Sequence, residues 1–334
     1  MRVSTANLMG QLDMALSNYA KGYRNADHIT DLLFPRLEVV RQRDVYWIYG
    51  KENLQLTEQT LRATGTGAQE TRFSLSTGAY FAASHALKSV VPDEDRMAYT
   101  VGDLNMDSVQ LNQDKILLDR EYRAMQLATN PANYVSSNTV ALSGTAQLDN
   151  AASDPLLLAA TARKTIAQNG AVKMNTLVLG FDVAEVLRRH PALLQRFQFV
   201  TITGSLSDEQ LATVFNVDKV VVGGAVTNSP TTGLNTFVWS NFMLFVYVTP
   251  TVGKAGLLSP VGAEGSVGPK QLSYGKSFTW IGGPETVGGY GVTIARHPDA
   301  SAKSDVVSVD WYSDEQITAS DVGYLVTNAL AANN

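Results

Sequence analysis

The sequence predicts an α+β chain, and three observations carry that reading. A helical apolar pattern runs unbroken from Asp107 to Leu127, helix and strand signals intermix over residues 154–250, and the close from Gly291 to Val326 is rich in strand signals. With 334 residues the chain can bury a sizeable core or divide into two modest domains. No period of about 20–50 residues repeats, which sets solenoids aside.

Residues 4–20 read as a short amphipathic helix. Ser4 or Thr5 can cap it, and Met9, Leu12, Leu16 and Tyr19 fall on one face, with Gly10 as a weak point. That single apolar stripe needs a surface to lie on, and nothing adjacent in sequence supplies one. Residues 44–49 (DVYWIY) are aromatic and β-branched, as in a strand. A polar stretch follows, then extended patterning from residue 72 to Val91, so 44–91 reads as a long hairpin with its tip at Thr64-Gly65-Thr66-Gly67. A lone two-stranded hairpin is marginal in water, so an arm of this length is expected to lie on something else.

The segment 107–127 carries two apolar stripes. Val109, Ile116, Leu117, Ala124 and Leu127 form one; Leu111, Leu118, Tyr122 and Met125 form the other. Asp114 and Glu121 lie on one flank between them, and Lys115 and Asp119 on the other. Two stripes imply contacts on two sides, as for a central strut. Downstream, Asp154-Pro155 opens a helix that Asn169-Gly170 ends. Capping boxes at Asp182–Glu185 and Ser207–Gln210 open two more, the first running to His190. Strand patterns cover Thr176–Leu179, Val217–Val222, Phe237–Ser240, Phe242–Val248 and Ser277–Ile281, then Gly291–Ala295, Asp305–Tyr312 and Gln316–Val326. Residues 253–291 hold 11 of the 26 glycines, which is loop chemistry.

Charged residues make up 17% of the chain, with 31 acidic and 26 basic side chains. That balance excludes a disordered acidic tail and a basic nucleic-acid clamp, both of which need blocks of one sign. A charge-poor surface is what protein–protein interfaces show at their centres. Cysteine is absent, which removes disulfides, thiolate metal sites and cysteine nucleophiles. The four histidines, His28, His85, His190 and His297, are scattered without metal-ligand spacing, so no metal and no cofactor is expected. The longest wholly apolar run, Phe242–Val248, is too short to span a bilayer, and the first residues form no secretory signal. A cytoplasmically made, soluble protein is expected.

Catalytic patterns fail one by one. Gly275-Lys276-Ser277 mimics the end of a phosphate-binding loop, but Lys270 stands where the motif needs its first glycine, and the residues that follow read as a strand. A nucleotide-dependent enzyme using these residues is the rival from another class. Asp93-Glu94-Asp95-Arg96 reads as a helix start or turn, and Arg188-Arg189-His190 as cations complementing a helix C-terminus. No Gly-x-Ser-x-Gly occurs. No enzyme activity is expected.

The order of several segments is similar to the major capsid proteins of tailed double-stranded-DNA bacteriophages. These are Thr176–Gly180 with Asp182-Val183 and Leu187–Pro191, then Glu209–Phe215 and Val217–Gly223. Upstream, His85–Lys88, Val91–Arg96 and Asp114–Glu121 resemble the region entering that family's long spine helix. The resemblance covers about 85–327 and rests on joint order rather than on any chemical motif. It implies an N-terminal arm (1–43), an extended hairpin loop (44–91), a peripheral domain with the spine helix (92–150), an axial α+β domain (151–291) and a return to the peripheral domain (292–334).

It further implies a virion protein that assembles with itself into hexamers and pentamers of an icosahedral shell, built in the bacterial cytoplasm around double-stranded DNA that it touches nonspecifically. Portal and scaffolding proteins, and a cement or decoration protein, are the implied partners. Many members carry a long, charged scaffolding segment at the N-terminus, whereas this sequence opens almost at the arm, so a separate scaffold or an already mature chain is expected. Lys51 lies near the hairpin, but no partner for a covalent crosslink can be matched. An encapsulin-like nanocompartment shell is the nearest alternative, and a tail-tube protein is disfavoured by the long helix. The expected subunit contacts are Leu8, Met9, Leu12 and Leu16 on the arm with Leu54, Leu56, Phe73 and Leu75 on the hairpin.

Overall fold

The computed structural model describes residues 28–49, 75–98, 103–197, 205–228, 235–249, 272–282 and 292–331, with a few positions between 61 and 70. Along the chain these form α1 (Thr30–Leu33), β1 (Arg36–Val39), β2 (Arg43–Tyr49), β3 (Leu75–Phe81), β4 (Ala83–Pro92), α2 (Asp93–Ala98) and α3 (Leu104–Thr129). There follow β5 (Thr139–Ala141), α4 (Pro155–Gly170), β6 (Thr176–Gly180), α5 (Phe181–Leu187), α6 (Pro191–Leu194), α7 (Asp208–Phe215), β7 (Lys219–Gly223), β8 (Val226–Asn228) and β9 (Asn235–Phe237). Strands β10 (Phe242–Val246), β11 (Gly275–Trp280), β12 (Val292–Asp299), β13 (Ser304–Ile317) and β14 (Gly323–Thr327) complete the set.

Two five-stranded sheets organise them. One runs β5-β14-β10-β6-β7; the other runs β1-β11-β13-β12, with β4 also paired to β13. In the first sheet β6 and β10 are buried at every position, which is why their sequences are continuous apolar runs instead of alternations. The two-residue period still sorts them. Leu177, Leu179, Met243 and Phe245 pack beneath α4, α5 and α7, while Val178, Phe242, Leu244 and Val246 face α1 and the C-terminal half of α3. In the second sheet Val307, Val309 and Trp311 of β13, with Val292 and Ile294, close on Val109 and Ile116 of α3.

The long helix exceeds its sequence signal at both ends. Asp103 caps it by accepting from the Asn105 N–H at 2.9 Å, and Asn130 leaves it in extended conformation ahead of Pro131. Its 26 residues span about 39 Å. The first apolar stripe is covered as expected and the second only in part: Leu118 and Met125 pack against the core, whereas Leu111 is 52% and Tyr122 47% exposed. Glu121, placed by spacing on a polar flank, is instead buried.

Several expected boundaries are corrected. The hairpin does not run to Val91, because the backbones of Ala82 and Gln42 meet, closing the β2–β3 ribbon at Phe81. From Ala83 the chain belongs to β4, which pairs β13 over ten residues. The expected strands at 305–312 and 316–326 are divided differently. β13 runs on through Ile317, held by β4 as far as Ser313 and by β11 from there. The chain then turns through Ser320–Val322 and changes sheets as β14.

The sheets also cut across the divisions at 151–291 and 292–334. β11 lies in the second sheet with β13, whereas β14 lies in the first beside β10. Ser207 and Gln210 form the expected capping box, but Asp182 caps nothing. Its helix starts one residue earlier, after Gly180, where the Phe181 N–H donates to the Trp239 carbonyl at 3.1 Å. A Cβ at Gly180 would sit 3.0 Å from the Ser240 backbone, so any larger residue would push the two segments apart at this crossing. That helix stops at Leu187, and His190 caps α6 by accepting from the Ala192 N–H.

Candidate assembly surface and the polar cluster behind it

The ribbon β2–β3 has two unlike faces. On the inner face Tyr80 stacks on Phe278 at 4.4 Å with rings parallel to 1°, and Tyr46 lies 5.2 Å from the same ring. Leu37 and Val39 complete this small cluster, and the Phe81 N–H donates to Asp314 at 2.8 Å. The outer face carries Val45, Trp47 and Phe81, exposed by 57%, 60% and 45%. Arg43 covers one side of the Phe81 ring at 4.8 Å. Strand alternation places these three apolar side chains on one side, opposite Ala79 and Thr77. Full burial of each is worth about 1.5–3 kcal/mol, and the ribbon's own fold leaves that unused.

Of the expected contact residues, Leu8, Met9, Leu12, Leu16, Leu54, Leu56 and Phe73 lie outside the described residues. Leu75 is the terminal residue of β3, paired in register with Tyr49. Val45, Trp47 and Phe81 carry no outward signal in the sequence, because DVYWIY is apolar at five successive positions and its pattern does not separate the two faces.

Behind the ribbon, the second sheet is tied to α3 and to the chain's entry by a buried polar cluster. Arg120 donates from Nε to Glu315 at 2.9 Å and from a terminal nitrogen to Asp31 at 2.7 Å. Arg123 donates to the other Glu315 oxygen at 2.6 Å, and the Ser277 hydroxyl to Glu315 at 3.1 Å. The Arg120 guanidinium lies 5.3 Å from the centre of the Trp311 ring. About 100° further around the helix, Glu121 accepts from the Thr30 N–H at 2.7 Å and from the Trp239 indole N–H at 2.6 Å. One stretch of α3 therefore pins α1, β11, β13 and the turn after β9.

The electrostatics are those of a structural lock. Burial pushes the Glu315 carboxyl upward, but Arg120 and Arg123 outweigh it and hold it below its ordinary value. Burial alone would lower the Arg120 guanidinium, and Asp31 and Glu315 raise it instead. Lys276 is pulled down to about 8 by burial in β11. His85 is lowered by burial and by Arg123, with Asp119 at 3.8 Å opposing.

The Gly275-Lys276-Ser277 string lies within β11, where a phosphate site would need a loop before a helix N-terminus. Gly275 packs against the Phe34 ring and Ser277 serves Glu315. Asp93-Glu94-Asp95 opens α2, and Arg96 bonds both Asp93 and Asp305. Arg188 pairs with Glu185 and with Asp208 at 2.7 Å. His190 is buried, with Nε2 3.1 Å from the Ser153 hydroxyl. Among the described residues no group of three or more His, Asp or Glu side chains could hold a metal, and no helix is long and apolar enough to cross a membrane.

Comparison with known proteins bears on what such a subunit is. No family model matches the sequence. The major capsid protein of Pseudomonas phage JBD67 is 30% identical over 247 residues, which cover 71% of this chain and 77% of that one. A phage-related protein from Bordetella bronchiseptica RB50 superposes with TM-score 0.73 at 25% identity, covering 95% of this chain and 97% of that one. The capsid protein of Cyanophage P-SCSP1u shares the fold (TM-score 0.56, 12% identity, 92% of this chain and 89% of that one). So does the SrpI encapsulin of Synechococcus elongatus PCC 7942 (0.53, 10%, 95% and 95%). At such identities the last two speak for fold alone, common to capsids and encapsulins; the sequence identity falls on the phage side. This chain belongs to the family of phage major capsid proteins.

Proposed function

We propose that this protein assembles with copies of itself into the hexamers and pentamers of an icosahedral shell that encloses double-stranded DNA. It is a structural subunit and not an enzyme. The observation that carries the reading is an apolar ribbon face, Val45, Trp47 and Phe81, left exposed on a chain related to phage capsid proteins. Burial of that face between subunits, repeated over a closed shell, sums many modest contacts.

The arm residues Leu8, Met9, Leu12 and Leu16 and the hairpin residues Leu54, Leu56, Phe73 and Leu75 extend the same interface. In this reading the chain ahead of β2 is the arm, the β2–β3 ribbon with the residues joining its strands is the extended loop, and α3 is the strut between a peripheral and an axial part. Assembly takes place in the bacterial cytoplasm with a portal and a scaffolding protein, and a cement protein binds the finished shell. Contact with the packaged DNA is nonspecific, through dispersed Lys and Arg.

The contents of the particle test this reading against the nanocompartment alternative. Particles purified from phage-producing cells and treated with nuclease are expected to retain protected double-stranded DNA. A particle filled with a cargo enzyme and free of DNA would overturn it.

A further inference from the structure

Strand β4 leaves one of its edges open. Its pairing with β13 keeps a single register from Ala83↔Ser313 to Pro92↔Ser304, and one step further on the Asp93 N–H donates to the Lys303 carbonyl at 2.9 Å. The odd-numbered residues therefore bond β13, while the N–H and C=O groups of Ser84, Ala86, Lys88 and Val90 point the other way. Among the described residues no strand pairs them there, and all four side chains are exposed. The open stretch runs about 20 Å. Of the devices that blunt such edges, bulges, prolines and charges, it holds only Lys88. Two apolar side chains on it stay uncovered. Leu87 lies beside Val309 on the α3 side and is 38% exposed; Val90 lies beside Val306 on the opposite side and is 55% exposed.

Both ends of the stretch are closed, and equally far from Leu87. On one side the Ala82 N–H already donates to the Gln42 carbonyl at 2.9 Å. On the other, Pro92 has no N–H to give. An edge symmetric about one residue is matched by a second copy of itself. We infer that the β4 strands of two copies pair antiparallel across a two-fold axis through Leu87, joining their sheets into one. Ser84 then lies opposite Val90 and Ala86 opposite Lys88, so every open N–H meets an open carbonyl. Neighbouring registers fail. An axis through Lys88 sets two lysines face to face, and one through Ala86 sets Val90 against Ala82, whose N–H is spent. About Leu87 the charges agree: Lys88 of one copy crosses the short Ala86 side chain of the other toward Asp310, which β13 holds beside Ala86 on the same face. The two Leu87 side chains cover each other. This contact goes beyond the ribbon face of the shell reading.

The two-fold reduces the test to one substitution. Leu87 opposite Leu87 is a non-hydrogen-bonded pair with Cα atoms about 4.5 Å apart, within disulfide reach, and the chain has no native thiol. Purified Leu87→Cys, oxidised whether or not it has closed into shells, is expected to run mainly as a covalent dimer on a non-reducing gel. Val90→Cys is more exposed yet is expected to stay single, because its own counterpart lies about 20 Å away across the axis. Ala86→Cys with Lys88→Cys, at exposed positions that stand opposite each other, reaches the same contact without touching the α3 side and is expected to give the same dimer. Adding Ala86→Pro to Leu87→Cys takes an N–H from the open edge and none from the β13 ladder. It is expected to cut the dimer by about tenfold or more. Unlinked chains from both cysteine designs, equal linking of Val90→Cys, or a covalent product with a different polypeptide would each overturn the pairing. The shell reading fails separately, if the unmodified chain forms neither shells nor capsomers.

Discussion

Arg120→Met is expected to destabilise the isolated subunit by about 3–5 kcal/mol, because it leaves Glu315 buried beside a weakened partner set and Asp31 without its guanidinium. Arg123→Met is expected to cost less, since Arg123 is part-exposed and Arg120 still holds Glu315. Denaturant unfolding of unassembled subunits measures both. A midpoint for Arg120→Met within about 0.5 kcal/mol of wild type would show that the cluster is not what joins α3 to the sheet.

The same cluster sets a pH dependence. The Glu315 carboxyl is held below its ordinary value of 4.5, so its contribution is present at neutral pH and is lost as pH falls below about 4.5, through its folded value. In Arg120→Met that acid-side loss should be smaller, because less is left to lose.

Trp47→Ser is expected to leave the subunit's unfolding midpoint unchanged and to impair assembly. Trp47 is exposed on the outer face of the ribbon, away from the Tyr46–Tyr80–Phe278 stack that anchors it. Losing about 2 kcal/mol of burial at each subunit contact raises the concentration needed for assembly by about 30-fold. Light scattering at a series of subunit concentrations reads this directly. Tyr80→Ser is the contrasting variant: it strips the inner stack, so the ribbon loosens and stability falls as well. If Trp47→Ser assembles at the wild-type concentration, the outer face is not an interface.

The difference between these two variants marks what the sequence could and could not disclose. Period made α3 legible, and caps made α4 and α7 so, since Asp154 and Ser207 each supply an oxygen to free N–H groups at a helix start. The order of the segments carries the resemblance to the family. What stayed hidden was pairing at long range. Nothing local tells Glu121, one residue beyond Arg120 on a helix flank, that Thr30 and Trp239 will enclose it.

Nor does local pattern tell β13 that β12 and then β11 will take one of its edges in succession, with β4 on the other, and so keep one strand continuous through Ile317. Asp182 shows the converse, a correct capping pattern overridden because the Trp239 carbonyl reaches Phe181 first. At the candidate surface the hairpin was legible as an element in need of support from elsewhere. Which hairpin side chains face outward depended on the register Arg43–Phe81, which only the fold sets.

The charge-poor composition takes on meaning in this light. At 17% charged residues, a subunit whose ribbon face is proposed to be covered by neighbours would have less surface to keep wet. With no cysteine, its shell has to be held by burial and interlocking segments. Negative-stain microscopy of the purified chain tests this most directly. The account predicts isometric shells, or the capsomers from which they close; a field of small monodisperse particles at every concentration would contradict it.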